Sequence, residues 1–90
     1  MIHVWTTSGV IYVLDLYSPV KRWLRVVRGE LNARGILHVF PKLRKGEPLS
    51  IEGTLWARST GKHIDFWMTT HPIERIEWIP TSECGGVCVE

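Results

Sequence analysis

Residues Ile2 to Tyr17 contain two stretches of alternating side chains that meet at Ser8-Gly9. Such alternation predicts two β-strands, because successive side chains of a strand point to opposite faces. Gly9 is the predicted pivot, either in a two-residue primed turn or as a bulge after a type I turn, since glycine readily adopts positive φ. Val10 to Leu14 is apolar on both faces, which is typical of a central strand covered on both sides.

Five further stretches show the same period, and glycine, proline and charged residues separate them. They are residues 22–28, 36–40, 49–58, 63–70 and 73–79. Gly29 to Gly35 is predicted to connect the first two, and His71-Pro72 to interrupt the last two. Gly53 lies within a strand and predicts a bulge. The last stretch also fits a helix, but it is short and lacks a capping residue, so a strand is preferred.

This pattern predicts an all-β fold, either a small antiparallel β-barrel or a two-layer β-sandwich of six to seven short strands. A barrel is preferred because closure removes exposed strand edges. Residues 1–80 are expected to form a single β domain, and residues 81–90 a flexible C-terminal tail. The predicted core consists of Val4, Tyr12, Leu14, Leu24, Val26, Ile51, Leu55, Ile64 and Phe66.

The apolar stretches and the cysteines exclude several other classes of protein. The longest apolar run, Val10 to Leu14, is far shorter than the ~20 residues of a membrane-spanning helix. No signal-peptide pattern opens the sequence, so a cytoplasmic location without membrane association is expected. Cys84 and Cys88 both lie near the end of the chain, where they cannot staple the body together.

No pattern for catalysis or metal binding emerges from the polar residues. The serines lie in no nucleophile-elbow motif, and the glycines form neither a phosphate-binding loop nor a dinucleotide fingerprint. Cys84 and Cys88 are separated by three residues, which is wider than the two-residue spacing of a zinc knuckle. The sequence therefore predicts a protein that is not an enzyme and that needs neither a metal nor a cofactor.

Charge is unevenly distributed along the chain. Residues 21–45 contain eight basic residues against Glu30 alone, whereas residues 46–90 contain three basic and seven acidic residues. Basic side chains with aromatic ones between them are typical of a nucleic-acid surface, in which cations neutralise phosphates and rings stack on bases. A solvated basic surface, or one that docks on the acidic half of a second copy, is the alternative.

One binding face is predicted around the third and fourth strands. If Leu24 and Val26 face the core, Trp23 and Arg25 point together to the outside, beside the strand over residues 36–40. The predicted binding residues, for protein or nucleic acid, are Trp23, Arg25, Arg28, His38, Phe40, Lys42, Arg44 and Lys45.

Two runs of residues resemble small uncharacterised β-proteins of actinobacteria and their bacteriophages. The first is Trp5-Thr6-Thr7-Ser8-Gly9, followed by Tyr12, Asp15-Leu16 and Trp23-Leu24-Arg25-Val26, and the second is Met68-Thr69-Thr70-His71-Pro72-Ile73. The resemblance implies a phage or host accessory protein, and it implies no catalytic site.

Five tryptophans in 90 residues also favour docking, because aromatic anchors are enriched at interfaces. The leading prediction is a non-enzymatic β interaction module that binds protein and associates with itself as a homo-oligomer. The alternative is a nucleic-acid-binding protein that uses the basic segment 21–45.

Overall fold

A computed structural model describes residues 1–16 and 19–79 as an all-β protein. Its strands are β1 (Ile2–Thr6), β2 (Ile11–Asp15), β3 (Arg22–Val27), β4 (Glu30–Ile36), β5 (Pro48–Ala57) and β6 (Lys62–Trp78). They pair antiparallel in the order β4-β3-β2-β1-β6-β5 and form a nearly closed, barrel-like sheet. The predicted small antiparallel barrel is confirmed. The predicted tail over residues 81–90, with Cys84 and Cys88, lies outside the described residues.

The β1–β2 hairpin closes through the second of the two predicted turn geometries. Gly9 N–H donates to the Thr6 carbonyl at 3.0 Å, and Thr6 N–H donates to the Val10 carbonyl at 3.1 Å. Gly9 has a φ of 89°, so a three-residue loop ends in a glycine bulge. β2 then pairs with β1 on one side and β3 on the other, which makes it an inner strand of the sheet, as predicted.

β4 begins at Glu30, six residues before the predicted strand over residues 36–40, so this part of the prediction is wrong. Arg28 and Gly29 have φ angles of 54° and 80° and form a two-residue turn between β3 and β4. Positive φ at both positions matches the right-handed twist of the flanking strands. Residues 30–36 are therefore strand rather than connection, and of the predicted strand 36–40 only Leu37 makes a further β-bridge, to Gly53.

β6 runs for 17 residues through His71-Pro72, so the predicted interruption is also wrong. Its first part pairs with β5, and the part from Ile73 onward pairs with β1. Pro72 is accommodated at this change of partner, where its carbonyl accepts a 3.0 Å hydrogen bond from Thr7 N–H. The β5–β6 ladder shifts between Pro48 and Ser50 and not at Gly53, so no bulge occurs where the sequence predicts one.

The barrel interior is one apolar cluster. Its buried members are Ile2, Val4, Tyr12, Leu14, Trp23, Leu37, Leu49, Ile51 and Ile73. Four predicted core residues, Val4, Tyr12, Leu14 and Ile51, are thereby confirmed, and Leu55 and Phe66 pack against the cluster with partial burial. Ile64 is 49% exposed, and Leu24 and Val26 lie outside the cluster, so these three predictions are wrong.

β3 presents the opposite face to the interior from the one predicted. Trp23 is fully buried, and its ring stacks on Phe66 with centroids 5.5 Å apart. Alternation cannot decide the face here, because both sets of side chains in RWLRVV contain large apolar groups. The barrel interior takes the largest of them, and Arg25 shares that side of β3.

Two glycines allow the barrel to close between its edge strands β4 and β5. A Cβ atom on Gly35 would collide with the Thr54 carbonyl, and one on Gly53 would collide with the Ile36 carbonyl. Because glycine has no Cβ atom, the strands approach closely enough for Ile36 N–H to donate to Thr54 Oγ1 at 3.1 Å and for His38 N–H to donate to the Glu52 carbonyl at 2.9 Å. Beyond these contacts β4 and β5 are not paired as strands.

Candidate functional site

The predicted binding residues do not form one surface. Trp23 lies in the interior, so it cannot serve as an exposed stacking platform. Arg25 is half-buried, and it donates through Nε to Asn32 Oδ1 at 2.7 Å while a terminal nitrogen lies 3.7 Å from Met68 Sδ. Arg28 is exposed at the apex of the β3–β4 turn.

The remaining predicted residues follow β4 in an irregular segment. Phe40 is 60% exposed and lines a shallow cavity of about 310 Å³ together with Lys42 and Trp67, which is 77% exposed. His38 is held beside β5 by its backbone hydrogen bond to Glu52. Phe40 and Lys42 thus share a surface, although with Trp67 rather than with Trp23.

Arg44 and Lys45 lie apart from that cavity. Arg44 forms an exposed ion pair with Glu47 at 3.4 Å, an interaction that contributes little stability in water. Lys45 lines a separate cavity with Trp5, Glu74 and Arg75. The basic segment 21–45 is therefore spread over several sides of the barrel.

An apolar patch lies on the outside of the first four strands. The strand registers place Trp5 opposite Ile11, Ile11 opposite Val26, and Val26 opposite Leu31. A neighbouring row places Val13 opposite Leu24. We call these six side chains the outer apolar face: Trp5, Ile11, Val13, Leu24, Val26 and Leu31.

Polar groups lie at the two ends of the outer apolar face. On the β6 side, the Arg75 guanidinium lies 4.0 Å from the Trp5 ring centroid, and Glu77 is the register partner of His3. On the β4 side, Arg34 is the register partner of Leu24. Leu31 is 54% exposed, whereas Val13 at the centre is only 9% exposed because its neighbours crowd it. The face is thus an apolar centre with a charged rim.

A second surface is the groove between the unpaired parts of β4 and β5, which we call the seam groove. It consists of two adjoining cavities of about 470 and 410 Å³ that share Arg34 and Trp56. Arg22 and His63 line the larger cavity, and Arg58 lines the smaller one.

Trp56 occupies the middle of the seam groove, between the Arg34 guanidinium and the His63 ring. The Arg34 guanidinium lies 5.4 Å from its ring centroid, and the His63 ring lies 5.3 Å away at an angle of 56°. His63 Nδ1 is 2.8 Å from Thr54 Oγ1, and this hydrogen bond holds the imidazole in the lining of the groove. Flat and positively charged groups are thus concentrated in a concave site.

The sequence contains only part of the signal for these two surfaces. The apolar residues on both faces of β2 indicate the outer apolar face, but the inverted orientation of β3 conceals that Leu24 and Val26 belong to it. Arg34, Trp56, Arg58 and His63 were missed as site residues. Trp56 and His63 are register partners in the β5–β6 hairpin, whereas Arg34 joins them only because the barrel closes, and no local pattern reports that closure.

Within residues 1–16 and 19–79, no three histidine, cysteine or acidic side chains come together as a metal site. The same residues contain no helix with the length and apolar character needed to cross a membrane.

Comparison with known proteins returns no similarity that bears on function. No protein-family model matches the chain, and neither curated proteins nor solved structures give a match.

Proposed function

We propose that the protein is a non-enzymatic interaction module that binds protein through the outer apolar face, and that its first partner is a second copy of itself. The observation that carries the proposal is the unbroken apolar row from Trp5 through Ile11 and Val26 to Leu31. An antiparallel sheet that faces water on one side normally alternates apolar and polar residues, so this row is unusual for a solvated face.

Burial of the row would be favourable by about 25 cal/mol for each Å² of apolar surface removed from water. Trp5 and Leu31 give the face large side chains, and contiguous apolar surfaces of this kind mark sites of association. The charged residues at its ends resemble the polar rim that surrounds the apolar centre of an interface.

A second copy is a partner that the charges permit. No charged side chain lies among the six residues of the outer apolar face, so two copies related by a two-fold axis would place no like charges opposite each other at its centre. A sheet also packs readily on a second sheet, with strands aligned at about 30°. Both features suit a face-to-face dimer.

Sedimentation velocity over a range of protein concentrations tests this proposal. Concentrations from about 1 µM to about 1 mM cover association free energies from about −8 to −4 kcal/mol. The wild type is expected to pass from monomer to dimer in that range. Ile11→Glu is expected to remain monomeric, because it places a charge at the centre of each copy's face.

Two further variants separate association from stability. Val26→Thr keeps a β-branched side chain of similar size but makes it polar, and it should weaken dimerisation while the fold is retained. Thr69→Glu introduces the same charge as Ile11→Glu at an exposed position of β6 outside the face, and it should dimerise like the wild type. A wild type that stays monomeric throughout, or an Ile11→Glu variant that still dimerises, contradicts the proposal.

A further inference from the structure

We propose that the seam groove binds single-stranded nucleic acid, with Trp56 stacking on a base and Arg34 and Arg58 contacting phosphates. The groove borders the outer apolar face, because Leu24 lines its larger cavity and Leu31 its smaller one. The proposal nevertheless does not depend on dimerisation. It also differs from the binding face predicted from the sequence, since Trp56, Arg34 and Arg58 were not among its residues.

Charge is the first argument. Arg22, Arg34 and Arg58 line the two cavities, and Asp15 is the acidic residue among their described lining residues. Arg34 and Arg58 both lie in the smaller cavity, and none of its described lining residues is acidic. An anion is therefore the ligand whose charge this part of the groove complements.

Trp56 distinguishes a nucleic acid from other anions. Its ring is half-buried in the groove and the exposed Arg34 guanidinium lies 5.4 Å from the ring centroid. Arg34 can therefore leave the ring for a phosphate while a base takes its place, since bases and guanidinium groups both stack on indole. An acidic peptide would use the arginines but would leave the ring without a role.

The shape of the groove favours an extended single strand. Each cavity is of the size that holds a small ligand, and the two adjoin at Trp56. A chain-like ligand that follows the seam would fill both. In a duplex, the faces of the bases are already stacked on one another, so Trp56 could not reach them without unstacking a step.

Fluorescence anisotropy with a labelled oligothymidylate of about eight nucleotides tests the proposal at low salt. The wild type should bind, and log affinity should fall linearly with log salt with a slope of about −0.7 for each phosphate contacted. Arg58→Glu should make that slope less steep by about 0.7 or more and should weaken binding. Trp56→Ala should weaken it by between about 5-fold and about 150-fold, the range that corresponds to loss of one stacked base.

Matched controls make each outcome decisive. Trp67→Ala removes a tryptophan that is 77% exposed outside the groove, and Arg28→Glu reverses a charge at the β3–β4 turn. The first should leave oligonucleotide binding unchanged, and the second should weaken it less than Arg58→Glu. Arg58→Glu alters an exposed side chain, so it tests the site even if Trp56→Ala is unstable.

Val26→Thr connects this experiment with the dimerisation test. It should lose dimerisation and keep oligonucleotide binding, so failure of one proposal is distinguishable from failure of the other. The inference is overturned if the oligonucleotide does not bind, if Trp56→Ala and Arg58→Glu bind like the wild type, or if duplex DNA or poly-glutamate competes as well as the single strand. The poly-glutamate result would identify the groove as a site for acidic peptides.

Discussion

The indole nitrogen of Trp23 donates a 2.9 Å hydrogen bond to the carbonyl oxygen of Thr54, 31 residues further along the chain. Trp23 is the register partner of Gly35 on β4, and the missing side chain at Gly35 gives its indole room to reach β5. One buried side chain therefore spans the seam between the two edge strands and stacks on Phe66 as well. This contact connects the closure of the barrel with the packing of its interior.

Trp23→Phe should destabilise the protein by about 2 to 4 kcal/mol. The change leaves a buried carbonyl of Thr54 without its donor, which costs about 1 to 3 kcal/mol, and removes part of a fully buried ring. Urea unfolding followed by circular dichroism measures the difference. Trp67→Phe, at a position that is 77% exposed, should change stability by no more than about 0.5 kcal/mol. Equal costs at the two positions would contradict the role assigned to Trp23.

Gly35→Ala should be more destabilising than Gly29→Ala. The methyl group at residue 35 collides with the Thr54 carbonyl and forces β4 away from β5, whereas residue 29 has open space around it. The cost at residue 29 is limited to its φ of 80°, about 1 to 2 kcal/mol. Thermal unfolding of both variants checks the order. A smaller loss at residue 35 would mean that the seam opens easily.

Leu14→Ala and Leu24→Ala should differ because the two residues lie on opposite sides of the sheet. Leu14 is fully buried in the interior cluster, and its truncation should cost about 2 to 5 kcal/mol. Leu24 is half-buried on the outside and should cost about 1 kcal/mol in the monomer. Denaturant unfolding at low protein concentration, where a dimer is not populated, measures both. Similar losses would place Leu24 in the core after all.

Dimerisation and oligonucleotide binding should differ in their response to sodium chloride. Association through an apolar face should change little between about 50 and 200 mM sodium chloride and should strengthen in sulfate, which favours apolar burial. Phosphate contacts should weaken steadily over the same range. Sedimentation at several salt concentrations, with the anisotropy titration in parallel, checks the contrast. A dimer that dissociates in moderate salt would indicate that the charged rim, and not the apolar centre, holds it together.

The alternation of apolar and polar residues along the chain predicts some parts of the fold and not others. The hairpin at Gly9 follows from two alternating stretches that meet at a turn, and the burial of Ile51 follows from alternation because its neighbours Ser50 and Glu52 identify the exposed face. The sequence of β3 does not identify its exposed face, since Trp23 and Leu24 lie on opposite faces and are both apolar. Arg25 is charged and therefore suggests that the face it shares with Trp23 is the exposed one. Arg25 shares the interior side of β3 because its guanidinium reaches Asn32 and Met68.

The turn at Arg28-Gly29 cannot be recognised from local pattern either. Arginine rarely adopts positive φ, so Arg28-Gly29 does not look like a primed turn, and the glycines at both ends of GELNARG favour a loop instead. Pro72 likewise predicts a strand end, although a proline is tolerated where a strand changes partner. The seam groove was beyond prediction, because Arg34 and Trp56 are brought together by tertiary structure alone.

The pairing of β1 with the last part of β6 has a consequence for how the protein is made. Ile2 lies opposite Trp78, and Met1 and Ile79 exchange backbone hydrogen bonds of 2.7 Å. One edge of β1 therefore stays unpaired until nearly the last described residues have been synthesised. At about 5 to 20 residues per second, the ribosome needs roughly 4 to 15 seconds to add the intervening chain. During that interval the β1–β2 hairpin can form but keeps an open edge, which is a template for strands of other nascent chains. The speed at which the chain between β1 and the end of β6 is translated therefore sets how long each new molecule is exposed to mispairing.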